Sequence, residues 1–228
     1  METVVLIKPV PDLDKIKISR GQGQIFETGK QLMNSYDRVG LQLAVDLRQK
    51  YGGKVSVISL CDTSTTDILR EAYAMGADAC FNLWEESFKT YDAYVNTKLF
   101  GAAINKIGEI DLIICGAKSD SGFAGQTGPR LAEYLDRPQA TFVTKIELSD
   151  KTIKIESKNQ NEKEISLPAL ITVDLAATSP KIPNALNIIK AYKKEISTWT
   201  AADLDLPENE VGEAGALINI KSRFLAEE

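Results

Sequence analysis

Short apolar runs alternate with helical stretches as far as Leu135, and this alternation limits the fold more than any other property of the chain. Thr3–Ile7, Lys54–Cys61, Ala79–Leu83 and Asp111–Cys115 read as strands. Between them, Tyr36 to Tyr51 carries Val39, Leu43 and Leu47 on one face. Thr66 to Met75 carries Ile68, Leu69 and Ala72, and Ala93 to Ile107 carries Val95, Leu99, Ala102 and Ala103. This is the spacing of helices that bury one side. Helices of this length between strands require parallel pairing with right-handed crossovers and a sheet covered on both faces. Asn34 or Ser35 can cap the first helix, and Ser64-x-x-Asp67 has the form of a capping box.

Two regions break the pattern. Ile16 to Phe26 has strand-like ends around Gly21-Gln22-Gly23 and reads as a β-hairpin projecting from the first strand. After Leu135 come consecutive strands, Ala140–Leu148, Thr152–Ser157, Glu162–Leu167 and Ala169–Val173. Ser149-Asp150-Lys151 and Asn159-Gln160-Asn161 supply turns, so the sheet gains an antiparallel extension. Asn184 to Tyr192 is a last helix behind Pro183. The expected organisation is one domain over residues 1–196 and a C-terminal arm over 197–228. The arm is short of apolar periodicity, but Trp199, Leu204, Leu206, Leu217, Ile218 and Ile220 suit a segment that folds onto a partner subunit.

Composition narrows the chemistry. The chain has no histidine, which removes the commonest general base, the usual serine-triad base and the commonest metal ligand together. Cys61, Cys80 and Cys115 lie far apart in or beside apolar runs, so they read as buried hydrophobes and not as a zinc site or a disulfide framework. A net charge of −5 with interspersed signs argues against nucleic acid as a partner. No apolar run reaches the length of a membrane span. With a first strand opening at Thr3, no cleaved leader is expected, and the cytoplasm is the expected compartment.

The candidate site lies in the loops at the carboxyl ends of the strands, where open parallel sheets bind ligands. These are Lys8–Asp14, Leu60–Ser64 and Gly116–Gly128, with Met33–Asp37 beside them. The last loop runs through Gly116, Gly122, Gly125 and Gly128 into a helix at Arg130–Leu135. Amides at a helix start suit phosphate, and glycine lets a backbone approach a ligand closely. The spacing matches neither the P-loop nor the Gly-x-Gly-x-x-Gly fingerprint, so an ordinary strand-to-helix turn and a phosphate cradle both stand. Lys8 and Lys118 are the cations at hand, Ser64, Ser119, Ser121 and Thr127 the hydroxyls, and Asn34 and Gln126 the amides. That inventory suits holding an adenine nucleotide better than breaking a bond.

Several segments, in order, resemble the β (small) subunit of electron transfer flavoproteins. Lys8-Pro9-Val10-Pro11-Asp12 is similar to that family's Lys-x-Val-Pro-Asp, and Asn34-Ser35-Tyr36-Asp37 to its Asn-Pro-x-Asp helix entry. Arg70 to Asp78 (Arg-Glu-Ala-Tyr-Ala-Met-Gly-Ala-Asp), Gly125-Gln126-Thr127-Gly128-Pro129, Leu135 to Phe142 and Leu167 to Val173 continue the match, which Ile188 to Lys194 closes. The resemblance covers nearly the whole chain to about Ile196.

What the resemblance implies is a doubly wound, mostly parallel α/β fold of the adenine-nucleotide α-hydrolase-like kind. It also implies a heterodimer with an α subunit that carries redox-active FAD. The β subunit adds AMP in ordinary members or a second FAD in members that bifurcate electrons, and FAD is the expectation here. The family's nucleotide contacts fall on Leu6, Asn34, Ser35, Tyr36, Asp37, Leu60 and Cys61. In the glycine loop they fall on Ala117, Lys118, Ser119, Asp120, Ser121, Gly122, Phe123, Ala124, Gly125, Gln126, Thr127 and Gly128.

The chain departs from the family pattern twice. Ser121-Gly122-Phe123 stands where an acidic stretch is usual, with Asp120 displaced from it. In the docking loop Ala177 replaces an anchoring leucine and Lys181 an arginine, which points to a dedicated dehydrogenase partner. A stand-alone nucleotide-binding stress-type protein without a redox role is the alternative. An adenylating ligase ranks last, because the Ser-Gly-Gly-x-Asp-Ser loop is missing.

Overall fold

The computed structural model describes residues 1–19, 24–27, 30–89, 92–158, 160–218 and 221. The strands are β1 (Glu2–Ile7), β2 (Pro9–Pro11), β3 (Ile16–Ser19), β4 (Gln24–Glu27), β5 (Gln31–Met33), β6 (Lys54–Leu60) and β7 (Ala79–Leu83). They continue as β8 (Leu112–Gly116), β9 (Gln139–Ser149), β10 (Thr152–Ser157), β11 (Gln160–Ser166), β12 (Ala169–Val173) and β13 (Ser197–Trp199). The helices are α1 (Ser35–Tyr51), α2 (Asp67–Met75), α3 (Ala93–Ile107), α4 (Thr127–Tyr134) and α5 (Ala185–Lys193).

The main sheet has nine strands in the order β11-β10-β9-β12-β8-β1-β6-β7-β13. Pairing is parallel from β9 through β12, β8, β1, β6 and β7 to β13, and antiparallel only where β10 meets β9 and β11. This is the expected doubly wound α/β fold with an antiparallel extension. From β1 the chain steps outward through β6 to β7, then returns to place β8 on the other side of β1. The strand order therefore reverses between β1 and β8.

Both faces of the sheet are buried along β1, β8 and β12, which explains why these strands read as continuous apolar runs. On one face Val5, Ile7, Val57, Ile114 and Ile171 pack with Leu41, Val45, Leu69 and Ala72 of α1 and α2. On the other, Val4, Leu6, Ile58 and Ile113 pack with Val95, Leu99 and Ala103 of α3 and Leu131 of α4. Alternate residues of one strand, such as Val4 and Val5, thus serve opposite cores.

The chain between β1 and α1 forms two short antiparallel ribbons, β2 with β5 and β3 with β4. The second is the expected hairpin. Its Gly21-Gln22-Gly23 turn lies outside the described residues, as does Asn159 of the later turn.

The expected capping box at Ser64 does not form. Asp62 takes the Ser64 amide at 2.8 Å and closes a separate turn over Thr63–Thr65, and Thr66 starts α2 without a side-chain cap. A carboxylate two residues ahead of the amide outcompetes a cap that needs the helix already formed.

The segment from Ser197 begins inside the fold. β13 pairs with β7, and the Trp199 ring stacks on Phe81 with centroids 4.3 Å apart. Ala201, Leu204 and Val211 are buried beside α3. The Asp92 carboxylate, which also caps α3 through the Tyr94 amide, accepts from the amides of Leu217 and Ile218. A strand this short leaves no periodicity to read. Leu217 and Ile218 stay exposed, and Ile220 lies outside the described residues.

Candidate functional site at the strand-order reversal

Asp37, in the first turn of α1, joins the two strands where the order reverses. One carboxylate oxygen accepts from the Lys8 amide at 2.8 Å and the other from the Gly116 amide at 3.0 Å. The approach needs glycine at 116, since a Cβ there would lie 2.2 Å from Asp37 Oδ1. Burial pushes the Asp37 carboxyl up to about 7, outweighing the hydrogen bonds from Asn34, Lys8 and Gly116 that favour its charged form.

The glycine loop is fastened to the start of α1. Asn34 Nδ2 donates to the Lys118 carbonyl at 2.8 Å, and Asn34 Oδ1 accepts from the Asp120 amide at 3.0 Å. Asp120 in return accepts from the Ser35 amide at 2.9 Å and from the Ser35 hydroxyl. Asn34 occupies the cap position of α1, but its side chain caps no helix amide. Asp120 caps α1 in its place, from far along the chain.

Beyond this anchor the loop turns on itself, with the Gly122 and Phe123 amides donating to the Ser119 carbonyl. Phe123 adopts φ +52 and is 60% exposed, an unusual conformation for an aromatic residue. Gly125 has φ +61, and a Cβ on it would sit 3.0 Å from the Ala117 carbonyl. Entering α4, the backbone amides of Ala124, Gly125, Gln126 and Thr127 donate to nothing among the described residues. They are the orphan donors of a helix start, at the positive end of its dipole.

A cavity of about 250 Å³ opens over these groups. It is lined by Leu6, Asn34, Asp37, Leu60, Lys118, Ser119, Gly122, Ala124, Gly125, Gln126 and Thr127, all singled out from the sequence. Lys8 and Gly116, from the same strand-end loops, line it as well.

Other sequence candidates hold the wall from behind. Ser35 and Asp120 are spent on the helix cap, and Ser121 receives the Lys8 ammonium. Cys61 points its thiol at Asn82 Oδ1, 3.1 Å away, and burial raises that thiol's pKa. Ala117 is buried, and Gly128 lies against Thr172 of β12. Tyr36 and Phe123 are outside the lining.

Sequence reasoning missed the wall made by α3, where Ala93, Asn96 and Phe100 line the cavity. The signal was present: these residues share a helix face at i, i+3 and i+7, on the helix that follows the carboxyl end of β7. Among the described residues no group of acidic or cysteine side chains could hold a metal ion. The donors are amides, hydroxyls and an ammonium, a set that complements an anion and a sugar.

Fold and site together define a doubly wound α/β protein with an anion-ready crevice at its topological switch point. The sequence model of the electron transfer flavoprotein domain matches residues 22–204. The electron transfer flavoprotein subunit beta of Thermoanaerobacterium thermosaccharolyticum is 36% identical over 95% of this chain and 85% of its own length. The same subunit of Clostridium acetobutylicum is 31% identical over 97% of this chain and 86% of its own. The caffeyl-CoA reductase-Etf complex subunit CarD of Acetobacterium woodii is 27% identical over 93% of this chain and 83% of its own. The chain belongs to the electron transfer flavoprotein family, among its β subunits. Membership gives it a coarse role, that of an electron-transfer subunit in a flavoprotein.

Proposed function

We propose that this chain is the small subunit of a heterodimeric electron transfer flavoprotein in the cytoplasm, and that the switch-point cavity binds FAD, with AMP as the alternative. The single observation that carries the nucleotide reading is the run of unbonded amides from Ala124 to Thr127, opening into a cavity at the start of α4. A phosphate there would meet N–H groups that no acceptor among the described residues uses. Gly125 keeps that backbone clear of a Cβ, so the cradle fits the phosphate of an adenine nucleotide. Leu6, Leu60 and Phe100 offer an apolar wall for a base. Bound FAD supplies reversible electron transfer; the chain's own residues bind it, orient it and hold its phosphates.

The redox-active FAD belongs to the α subunit in this reading, and electrons pass between it and a dehydrogenase, with bifurcation as the mode that a second FAD would serve. Leu13, Leu32 and Leu175, all exposed around a second cavity at the β2–β5 ribbon, support a subunit contact on that side. The exposed Leu217 and Ile218 support a contact with the α subunit through the C-terminal segment, residues 197–228.

A dedicated dehydrogenase is supported by the surface after β12. Ala177, half-buried, cannot reach out as an anchor, whereas Ile182 is 95% exposed and Leu186, Ile189 and Tyr192 follow it on α5 with more than half their surface in water. Co-expression with an α subunit tests the reading. A stable heterodimer that carries nucleotide in this chain is expected; a colourless monomer that acquires no partner would favour the stand-alone alternative.

A further inference from the structure

The C-terminal segment runs back along α3, and three contacts mark its course. Lys106 Nζ, in the last turn of α3, stands 5.5 Å from the centre of the Trp199 ring. Lys98 pairs with Glu210 at 2.9 Å. Asp92, at the start of the helix, accepts from the Leu217 amide at 2.6 Å and the Ile218 amide at 3.1 Å. Between the last two contacts Val211 is 1% exposed. Gly212, at φ +57, lies so close to the body that a Cβ there would overlap the Ser87 carbonyl oxygen.

Another side of α3 walls the cavity, with Ala93 and Asn96 of the first turn in the lining. Asp92 holds that turn in place. Its Oδ1 accepts from the Tyr94 amide at 2.8 Å, and its carbonyl accepts from the Asn96 amide at 3.2 Å. The other carboxylate oxygen, Oδ2, takes both amides of the C-terminal segment. One buried carboxylate is thus divided between the helix start and the segment that crosses it. Burial alone would raise the Asp92 carboxyl, and the amides of Tyr94, Leu217 and Ile218 outweigh it and hold the group below the ordinary carboxylate value. Taking the two segment amides away leaves a buried charge with fewer donors, and the turn that carries it must shift or open to water.

We propose that Asp92 is a positioning residue of the nucleotide cavity, tying the first turn of α3 to the end of the C-terminal segment so that the seating of this segment sets the α3 wall and nucleotide affinity. The inference rests on the nucleotide-site reading above and adds a control that lies outside the cavity. A subunit contact at the exposed Leu217 and Ile218 would act on the wall through the same carboxylate.

Calorimetric titration of the nucleotide-free full chain with ADP, paired with hydrogen exchange, tests it. Asp92→Asn keeps an oxygen for the Tyr94 amide but puts an NH₂ group where the segment amides need an acceptor. Gly212→Ala lifts the segment from its seat without touching α3 or the cavity. Each variant should weaken ADP binding about fivefold or more and quicken exchange through residues 94–97. Either variant decides the matter if the other fails to fold. Ile153→Val, a core substitution in β10, should leave ADP affinity within about twofold and separates this role from general loss of stability. ADP affinity within about twofold of the unaltered chain in the two variants overturns the inference, as does quickened exchange confined to the C-terminal segment or an equal loss in Ile153→Val. An unaltered chain that binds no ADP overturns the underlying site reading, and this inference with it.

Discussion

Both oxygens of Asp37 are spent on amides from neighbouring strands, so this side chain fixes the geometry of the switch point before any ligand arrives. Its carboxyl is raised from 3.8 to about 7. Between those values the folded protein holds a proton that the unfolded chain has released. Stability should therefore fall as pH rises through that window and level off above it, by on the order of 1.4 kcal/mol per pH unit from this group. Urea unfolding from pH 5 to pH 8 checks this: Asp37→Asn should flatten the slope, and a slope equal to that of the unaltered chain would refute it. Gly116→Ala would force a Cβ onto Asp37 Oδ1 and to 2.7 Å from the Tyr36 Cβ. A cost of about 1–3 kcal/mol is expected from that overpacking, read in the same unfolding assay together with weakened nucleotide binding. Asp37 and Asn34 were legible in the sequence as polar residues near a strand end. Their work was not: both look like local cap residues, yet each bonds chain segments that only the fold brings near.

At the scale of elements, the parallel strands and their helices were legible because burial on both faces writes long apolar runs into the sequence. β7, β10, β12 and α3 fall within the predicted bounds, and the other long elements differ by a few residues at their ends. Local capping was not legible in the same way. α1 is capped by Asp120, and a cap supplied from a distant loop leaves no spacing signal; α2 lacks the expected box because Asp62, close by, takes the Ser64 amide. Asp120→Ala should cost about 1 kcal/mol as a lost cap. Hydrogen exchange should also quicken at Ser35 and through the 118–123 loop, and an unchanged exchange pattern there would show that the anchor is idle. α5 presents the opposite case, an apolar row that no described residue covers. Leu186→Glu with Ile189→Glu should leave the unfolding free energy within about 0.5 kcal/mol, since both sites face water. The same pair should slow electron exchange with the dehydrogenase about tenfold or more if these residues form a docking centre. Undiminished exchange would move the docking surface elsewhere.

At the scale of the whole molecule, the nine-stranded sheet and its two helical layers serve to hold a few loops at one edge of the sheet. The sequence pointed to those loops because a parallel sheet gathers its carboxyl ends, and most of the cavity wall follows from that rule. The α3 wall and the inward start of the C-terminal segment did not follow, since both depend on how layers close over the sheet. The central claim is that this edge holds a diphosphate nucleotide inside an electron transfer flavoprotein heterodimer. Its most direct test is the nucleotide content of the purified heterodimer, released by denaturation and counted by chromatography. The prediction is two FAD per heterodimer and no AMP; one FAD alone, or one FAD with one AMP, would contradict it.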